Sequence, residues 1–370
     1  MRSFGLLIGL LVACGDSGKS AEATGSTGLL SATASSGSTD ATTGTSTTEE
    51  PGPGSSSSGQ PLPTTGGTST TTGTTSEGSS ESTTGMALPP AKLDEVVDGE
   101  PEVIREALMF PEGPVWSVDG GYLLFSDIPA NTIYRWTENE GSAPFITPSG
   151  NSNGLIFDPM GRLLAAEHGN RRISRRVLGE MAATTVVDTF EGKKLNSPND
   201  LVLSKGGSIY FTDPPYGINM NQQELDFQGV FWIDPQGALT LLADDFDRPN
   251  GIVLSPDETI LYVADTAKEH VRKFAVQPDG NALGGELFID LQSDLPGNPD
   301  GMAVDEFGDI YVTGGGGVRV VTPEGTLLGT IEIPGSATNC TFGGADGRTL
   351  FVTAPPMVYR VPLKVQGNGF

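Results

Sequence analysis

Residues 250–265 read NGIVLSPDETILYVAD, and five other stretches of the chain repeat this pattern. Each copy opens with an acidic or amide residue, usually followed by Gly, and continues with an apolar run, a polar turn and a second apolar run. The other copies are Glu112–Asp127, Asn153–His168, Asn199–Asp213, Asp300–Gly314 and Asn339–Ala354. Successive copies begin 41, 46, 51, 50 and 39 positions apart, and a four-stranded propeller blade takes about 40–50 residues.

The repeats predict an all-β fold, a six-bladed β-propeller. The polar turns of five repeats carry Gly, as in Asp119-Gly120, which is typical of a tight hairpin between the first two strands of a blade. Further strands are predicted after each hairpin, for example Asn131–Trp136 and Ala143–Ile146. We expect Glu102–Leu108 to pair with the last blade, after Met357–Leu363, because that pairing would remove an exposed sheet edge. A β-sandwich or jelly roll would not explain the period.

The residues that open the repeats carry the candidate chemistry, because the first strand of each propeller blade lines the axial channel. They are Glu112, Asn153, Asn199, Asn250, Asp300 and Asn339. Each would cost on the order of 1–3 kcal/mol if it were buried without a partner, and two carboxylates would repel each other. A cation bound by carboxylate and amide oxygens resolves both problems. The alternative is a buried polar network around a water-filled pore.

The few histidines limit the choice of metal. Only His168 and His270 occur, too few for a histidine-rich zinc site, so oxygen ligands and calcium are expected, with magnesium, manganese or zinc as alternatives.

A second set of polar residues lies at the ends of the predicted second strands. It consists of Asp127, His168, Asp213 and Asp265. We expect Asp213 and Asp265 to accept hydrogen bonds from turn amides. For His168, a role in the substrate pocket or in proton transfer and a plain hydrogen-bonding role are both open.

The N-terminal part reads as an export and anchoring segment. Residues 1–14, MRSFGLLIGLLVAC, combine a basic residue, a short apolar run and a Cys, which indicates a signal segment and not a membrane span. The ending at Cys14 resembles the bacterial lipobox, and it predicts lipidation of Cys14; an ordinary signal with a chance Cys is the alternative. Residues 15–86 are rich in Ser, Thr and Gly and are predicted to be a disordered tether. The propeller domain is then 87–370.

The charge of the chain excludes several partners. Asp and Glu total 46 against 21 Lys and Arg, for a formal net charge of −25. A phosphate backbone or an anionic bilayer would be repelled. We therefore expect no nucleic acid partner, and membrane contact only through the lipid on Cys14. The anchoring segment predicts a location in a bacterial cell envelope, and we expect a monomer.

The chain resembles the gluconolactonase and senescence-marker-protein (regucalcin) family of six-bladed propellers, from about Val103 to Leu363. The resemblance is to the bacterial gluconolactonase branch in particular. It is carried by Phe110–Trp116, Glu167–Arg172, Asn196–Asp200, Phe211–Gly217, Arg248–Gly251 and Pro299–Gly301.

The resemblance implies a lactonase that uses one divalent metal ion, most readily Ca²⁺, to open a lactone such as gluconolactone to a hydroxy acid. Glu112, Asn250 and Asp300 match the family's metal ligands. Asn199 matches the channel Asn that touches substrate or metal-bound water, and we count it with the ligands as well. Asp300 also matches the residue assigned as proton acceptor and donor, and Asp200 beside the channel is the alternative proton acceptor.

The chain departs from the animal members of the family at Ser197, where they place a substrate-binding Arg. His168, Arg171 and Tyr216 are the candidate replacements, and we predict that Asn199, His168 and Tyr216 bind substrate. Two other functions fit the same scaffold: a paraoxonase-like esterase or organophosphate hydrolase, and a surface-tethered binding propeller without enzymatic activity.

Overall fold

The computed structural model describes residues 88–370. The predicted signal segment with Cys14 and the predicted tether through residue 86 lie outside the described residues. Residues 88–370 are almost entirely β-structure, with two short 3-10 helices at Leu93–Glu95 and Met220–Gln222. None of the helices in this part of the chain has the length and apolarity that a membrane span requires.

Six four-stranded antiparallel sheets form the blades. Strand β1 (Glu102–Arg105) precedes them. Blade 1 contains β2 (Pro111–Ser117), β3 (Tyr122–Asp127), β4 (Thr132–Thr137) and β5 (Gly141–Ile146). Blade 2 contains β6 (Ser152–Phe157), β7 (Leu163–Glu167), β8 (Arg172–Arg176) and β9 (Thr184–Val187). A separate hairpin of β10 (Thr189–Phe190) and β11 (Lys193–Lys194) follows.

The second half of the ring repeats this order. Blade 3 contains β12 (Leu201–Leu203), β13 (Ile209–Asp213), β14 (Gly229–Ile233) and β15 (Leu239–Ala243). Blade 4 contains β16 (Pro249–Leu254), β17 (Ile260–Asp265), β18 (His270–Val276) and β19 (Ala282–Asp290). Blade 5 contains β20 (Met302–Val304), β21 (Ile310–Gly314), β22 (Gly317–Val321) and β23 (Leu327–Glu332). Blade 6 contains β24 (Asn339–Gly343), β25 (Thr349–Ala354) and β26 (Met357–Pro362) together with β1.

The predicted closure between the two ends of the ring is confirmed. Strand β1 pairs antiparallel with β26, with Glu102 opposite Arg360 and Val103 opposite Tyr359. The Arg360 guanidinium also forms an ion pair with Glu102 at 2.8 Å. A strand from before the first blade thus completes the last one, so the six-bladed β-propeller that the repeats predict is the fold of residues 88–370.

The hydrophobic core lies in layers between neighbouring blades. One layer joins Leu164 and Ile173 of blade 2 to Phe211 and Phe231 of blade 3, and all four are fully buried. Strands β13 and β21 are buried along their whole length, whereas the outer strand β5 is exposed or half-buried. The Gly-bearing turns lie between first and second strands as predicted, but they are longer than tight hairpins, spanning for example residues 118–121 and 204–208.

The ends of the second strands fix the loops that enter the channel. The Asp213 carboxylate accepts a hydrogen bond from the backbone N–H of Asn196 at 2.7 Å. Asp265 accepts from the backbone N–H groups of Asp247 and Lys268. The predicted structural role of Asp213 and Asp265 is therefore confirmed.

The inner strands touch one another along the axis. Gly154 N–H donates to the carbonyl of Asn199, and Gly251 N–H donates to the carbonyl of Asp300, at 2.8 and 3.0 Å. A Cβ on Gly251 would lie 2.1 Å from Asp300 O, far inside van der Waals contact. Gly is thus required at position 251, because two backbones meet there.

We expect Gly251→Ala to destabilise the domain by more than about 3 kcal/mol or to prevent folding, because blades 4 and 5 would have to separate. The matched control is Gly206→Ala. A Cβ on Gly206 would meet only Ser204 Oγ, at 3.6 Å, so its free energy of unfolding should stay within about 1 kcal/mol of the wild type. Denaturant unfolding checks both, and equal effects of the two substitutions would contradict this account of the axis.

Candidate active site

The structure brings all six repeat-opening residues together at the axis. Glu112, Asn153, Asn199, Asn250 and Asn339 are buried, and Asp300 is partly buried. We call these six the inner ring. The ring encloses a set of carboxylate and amide groups that come from six different blades, which is the convergence that the repeat predicted.

A chain of hydrogen bonds connects three of the four amides of the inner ring. Asn153 Nδ2 donates to Asn199 Oδ1, and Asn199 Nδ2 donates to Asn250 Oδ1 at 2.5 Å. Asn250 Nδ2 in turn donates to Thr266 Oγ1 at 3.0 Å, and Thr266 donates to the carbonyl of Pro299. Each amide therefore has a defined orientation. Asn153 Oδ1 is buried and has no hydrogen-bond partner among the described residues.

The acidic side of the ring carries unfavourable electrostatics. Burial raises the pKa of Glu112 to about 7, and the charge of Asp200 acts in the same direction. Burial also raises the pKa of Asp300 well above its ordinary value, and the charges of Glu112 and Asp200 raise it further. Burial raises the pKa of Asp200 to about 7. Three carboxyl groups thus compete for one buried region, which is the situation that a bound cation relieves.

The residues of the ring fit a hard divalent cation. The carboxylates of Glu112 and Asp300 are oxygen donors that such cations take. The amide oxygen of Asn250 accepts one hydrogen bond, from Asn199, and keeps a second lone pair for a cation. Within residues 88–370, no three His, Cys, Asp or Glu side chains are grouped closely enough to hold a metal by themselves, so amides belong to any donor set here. Asn199 Oδ1 already accepts two hydrogen bonds, and the ligand role predicted for Asn199 requires its amide to rotate.

His168 lies beside the ring as a hydrogen-bonding residue. Its Nε2 lies 3.1 Å from Asn199 Oδ1, and because that oxygen only accepts, Nε2 is the donor. Burial lowers the pKa of His168 to about 4, although the hydrogen bond to Asn199 acts in the opposite direction. The imidazole is therefore neutral at neutral pH. Of the two roles that the sequence left open, the contacts favour the hydrogen-bonding one, in which His168 orients Asn199.

Ser197 anchors the loop that covers one side of the channel mouth. Ser197 Oγ donates to the carbonyl of Pro214 at 3.0 Å and accepts from the N–H of Gly217 at 2.7 Å. Gly217 packs directly on His168, since a Cβ on Gly217 would lie 2.6 Å from His168 Cβ. The short side chain of Ser197 thus allows the loop to fold down and to present Tyr216.

Tyr216 lies at the channel mouth and is 39% exposed. Burial of its hydroxyl raises the pKa of Tyr216 to about 12; hydrogen bonding to Thr266 lowers it, and the nearby charge of Asp300 raises it. The guanidinium carbon of Arg248 lies 5.6 Å from the centroid of the Tyr216 ring. The predicted substrate residues Asn199, His168 and Tyr216 therefore border the same end of the channel as Asp300.

Two residues of the mouth, Arg248 and Thr266, were not among the sequence predictions. Arg248 occupies the same place relative to Asn250 as Ser197 does relative to Asn199, so a comparison of repeats was the signal that pointed to it. The other side of the ring opens into a cavity of about 780 Å³ that Asp200, Met302, Asn339 and Cys340 help to line. Neither Tyr216 nor Arg248 borders that cavity.

We expect Ser197→Ala to lower the free energy of unfolding by about 1–3 kcal/mol, because the Pro214 carbonyl and the Gly217 N–H would lose their buried partner. Ser142→Ala is the matched control: Ser142 Oγ is buried without a hydrogen-bond partner in the described structure, so its removal should cost little. Denaturant unfolding of both variants is the measurement. A loss in Ser142→Ala as large as in Ser197→Ala would contradict the anchoring role.

Residues 110–355 match the model of the family described as SMP-30/Gluconolactonase/LRE-like region. A gluconolactonase of Zymomonas mobilis is 38% identical over 304 residues, which covers 75% of this chain and 85% of the relative. The solved structure of a gluconolactonase from Xanthomonas campestris has a TM-score of 0.66 at 34% identity, covering 74% of this chain and 91% of that one.

A more distant structure shares the fold. A protein described as a calcium-binding protein, regucalcin, from Agrobacterium tumefaciens has a TM-score of 0.61 at 21% identity. The match covers 72% of this chain and 94% of that one.

Proposed function

The chain belongs to the SMP-30/gluconolactonase/LRE-like family, and from this premise we propose that it is a metal-dependent hydrolase that opens a sugar lactone such as gluconolactone to the hydroxy acid. The observation that carries the proposal is the convergence of Glu112, Asn250 and Asp300 at one end of a channel. Gluconolactonases related to the chain over three quarters of its length support the choice of reaction.

Glu112, Asn250 and Asp300 would hold the metal, with water completing its shell. Asn199 would join them only after rotation of its amide, because its oxygen already accepts two hydrogen bonds. A divalent cation in this place supplies Lewis-acid polarisation of a carbonyl and acidifies water. Calcium suits the site best, because it takes six to eight oxygen ligands and accepts amide oxygens readily. The description of a structural relative as calcium-binding supports this choice.

Asp300 is the proton acceptor in this proposal. It is the most exposed residue of the inner ring, since the other five are buried, and it lies near Tyr216 at the mouth. As a water oxygen attacks the lactone carbonyl carbon, Asp300 takes the water proton; when the ring C–O bond breaks, Asp300 returns that proton to the leaving alkoxide. The products are one hydroxy acid and the unchanged enzyme.

The amides act on the oxyanion that forms during attack. The Asn199 amide nitrogen points into the ring towards Asn250, and His168 and Asn153 hold the Asn199 oxygen from the other side. A neutral donor fixed in this way stabilises negative charge without reorganisation. His168 is therefore a positioning residue, and Asn199 contacts the reacting atoms.

We expect Asp300→Ala and Glu112→Gln each to lower kcat/KM for glucono-δ-lactone by at least about 1000-fold, because each removes a carboxylate from the metal and Asp300→Ala also removes the proton acceptor. Calorimetric titration with Ca²⁺ should show weakened binding in both variants. Asp119→Asn, at an exposed turn, is the control and should leave both measurements unchanged. Wild-type rates in both ring variants, with intact folds by circular dichroism, would end the proposal.

We also propose that the chain is exported and anchored by lipid on Cys14. The short apolar segment and the Cys that ends it support this. Expressed in full length in a Gram-negative host, the wild type should incorporate radiolabelled palmitate and sediment with membranes. Cys14→Ser should do neither, whereas wild-type protein that is soluble and unlabelled would contradict the anchor.

A further inference from the structure

The residue two positions before each inner-ring residue takes the same place in every repeat. We call these six residues the mouth rim: Phe110, Asn151, Ser197, Arg248, Asn298 and Ala337. Phe110, Arg248 and Asn298 are exposed, whereas Ser197 and Ala337 are buried. Any substrate that reaches Asp300 from the side of Tyr216 passes this rim.

Arg248 is the charged member of the mouth rim, and its charge has no acidic partner. Within residues 88–370, the Arg248 side chain forms no ion pair. Two arginines of a neighbouring loop have partners within the protein. Arg171 donates to the carbonyl of Leu195, and Arg172 forms an ion pair with Glu167. An exposed, unpaired guanidinium is unusual in a chain with a formal net charge of −25.

The position of Arg248 is fixed by its surroundings. Its N–H donates to Gln228 Oε1 at 2.8 Å, and its carbonyl accepts from the N–H of Thr266 at 3.1 Å. Its φ of +66° lies in the left-handed region, which costs a non-glycine residue on the order of 1 kcal/mol and persists where the surroundings impose it. The guanidinium is stacked over Tyr216 at a cation–π distance.

Arg248, Tyr216 and Asp300 are arranged from solvent towards the axis. Arg248 and Tyr216 are exposed, and Asp300 is partly buried. A guanidinium carries five donors in one plane, and an aromatic ring packs well against the C–H face of a sugar. The pair therefore offers donors and an apolar surface to the end of a substrate that points away from the reacting carbonyl.

We propose that Arg248 and Tyr216 form the subsite that recognises the hydroxyl-bearing end of a sugar lactone. Arg248 donates hydrogen bonds to the hydroxyl oxygens, and the Tyr216 ring packs against the adjacent carbon atoms. This inference rests on the proposed function and deepens it, because it names the residues that distinguish a hydroxylated lactone from one without hydroxyls. A lactone of the same ring size without hydroxyls leaves the guanidinium with nothing to bind, and sites built to hydrogen-bond a hydroxyl discriminate strongly against such analogues.

The test compares two six-membered lactones, glucono-δ-lactone and δ-valerolactone, as substrates of the full chain loaded with Ca²⁺. The quantity measured is the ratio of their kcat/KM values. Arg248→Met should lower this ratio at least tenfold, through a higher KM for glucono-δ-lactone, because a charge-assisted hydrogen bond is lost from one substrate only. Arg248→Lys should lower it less, since the charge is kept and the planar fork is lost.

Arg135→Met is the matched control. Arg135 is also partly exposed and also stacks over a tyrosine, Tyr122, at 5.8 Å, but it lies on β4 of blade 1 and away from the mouth. Its removal should leave both kcat/KM values unchanged. Thermal unfolding of each variant excludes a folding defect as the cause of a lower rate.

The outcomes separate this inference from the function on which it rests. If the wild type opens both lactones and Arg248→Met keeps the wild-type ratio, the subsite is wrong and the lactonase proposal stands. An equal fall in kcat/KM for both lactones would likewise overturn the subsite, because Arg248 would then support the shape of the mouth and would not recognise hydroxyl groups. A wild-type domain that opens neither lactone would overturn the proposed function and this inference with it.

Discussion

The close approach of the inner strands at the axis is the constraint on which the rest of the molecule depends. Gly251 has no space for a Cβ, because the carbonyl of Asp300 in the next blade occupies that volume. The same contact places Gly251 N–H against that carbonyl. One local requirement therefore closes the ring and brings residues that are about fifty positions apart in sequence into contact.

Closure at this distance has an electrostatic consequence. The side chains that precede the glycines are forced into a space with little water, and Glu112 and Asp300 each raise the free energy of ionising the other carboxyl. Two kinds of group moderate this effect. Neutral amides fill the opposite side of the ring and bond to one another, and the acidic side offers a cation the oxygens that it needs. The fold thus creates the unfavourable charge density that makes a cation site useful.

Repeated structure and individual function are separated along each blade. Positions that hold the ring together recur, as at Asp213 and Asp265, whose carboxylates accept loop amides in two different blades. Positions at the mouth differ from blade to blade. Ser197 is short and buried and admits a loop above it, whereas Arg248 at the equivalent place is exposed and charged. Substitutions at the mouth can therefore alter substrate specificity while the residues at the axis stay the same.

The sequence alone determined the number of blades, the closing strand and the residues of the inner ring. These follow from local patterns that recur at a fixed period, and Glu102–Leu108 was assigned to the last blade because an open sheet edge is unfavourable. The sequence did not predict the longer turns or the additional hairpin at Thr189–Lys194, because these segments do not follow the repeat period. Their form depends on packing against blades that are distant in sequence.

Only the tertiary structure decided how the site residues face one another. The orientation of the Asn199 amide, the neutral state of His168 and the stacking of Arg248 on Tyr216 all depend on distances between side chains that lie about thirty to fifty residues apart. A repeat predicts that such residues converge. It does not contain the orientation of an amide or the burial of an imidazole, because both arise from neighbours that only the closed ring supplies.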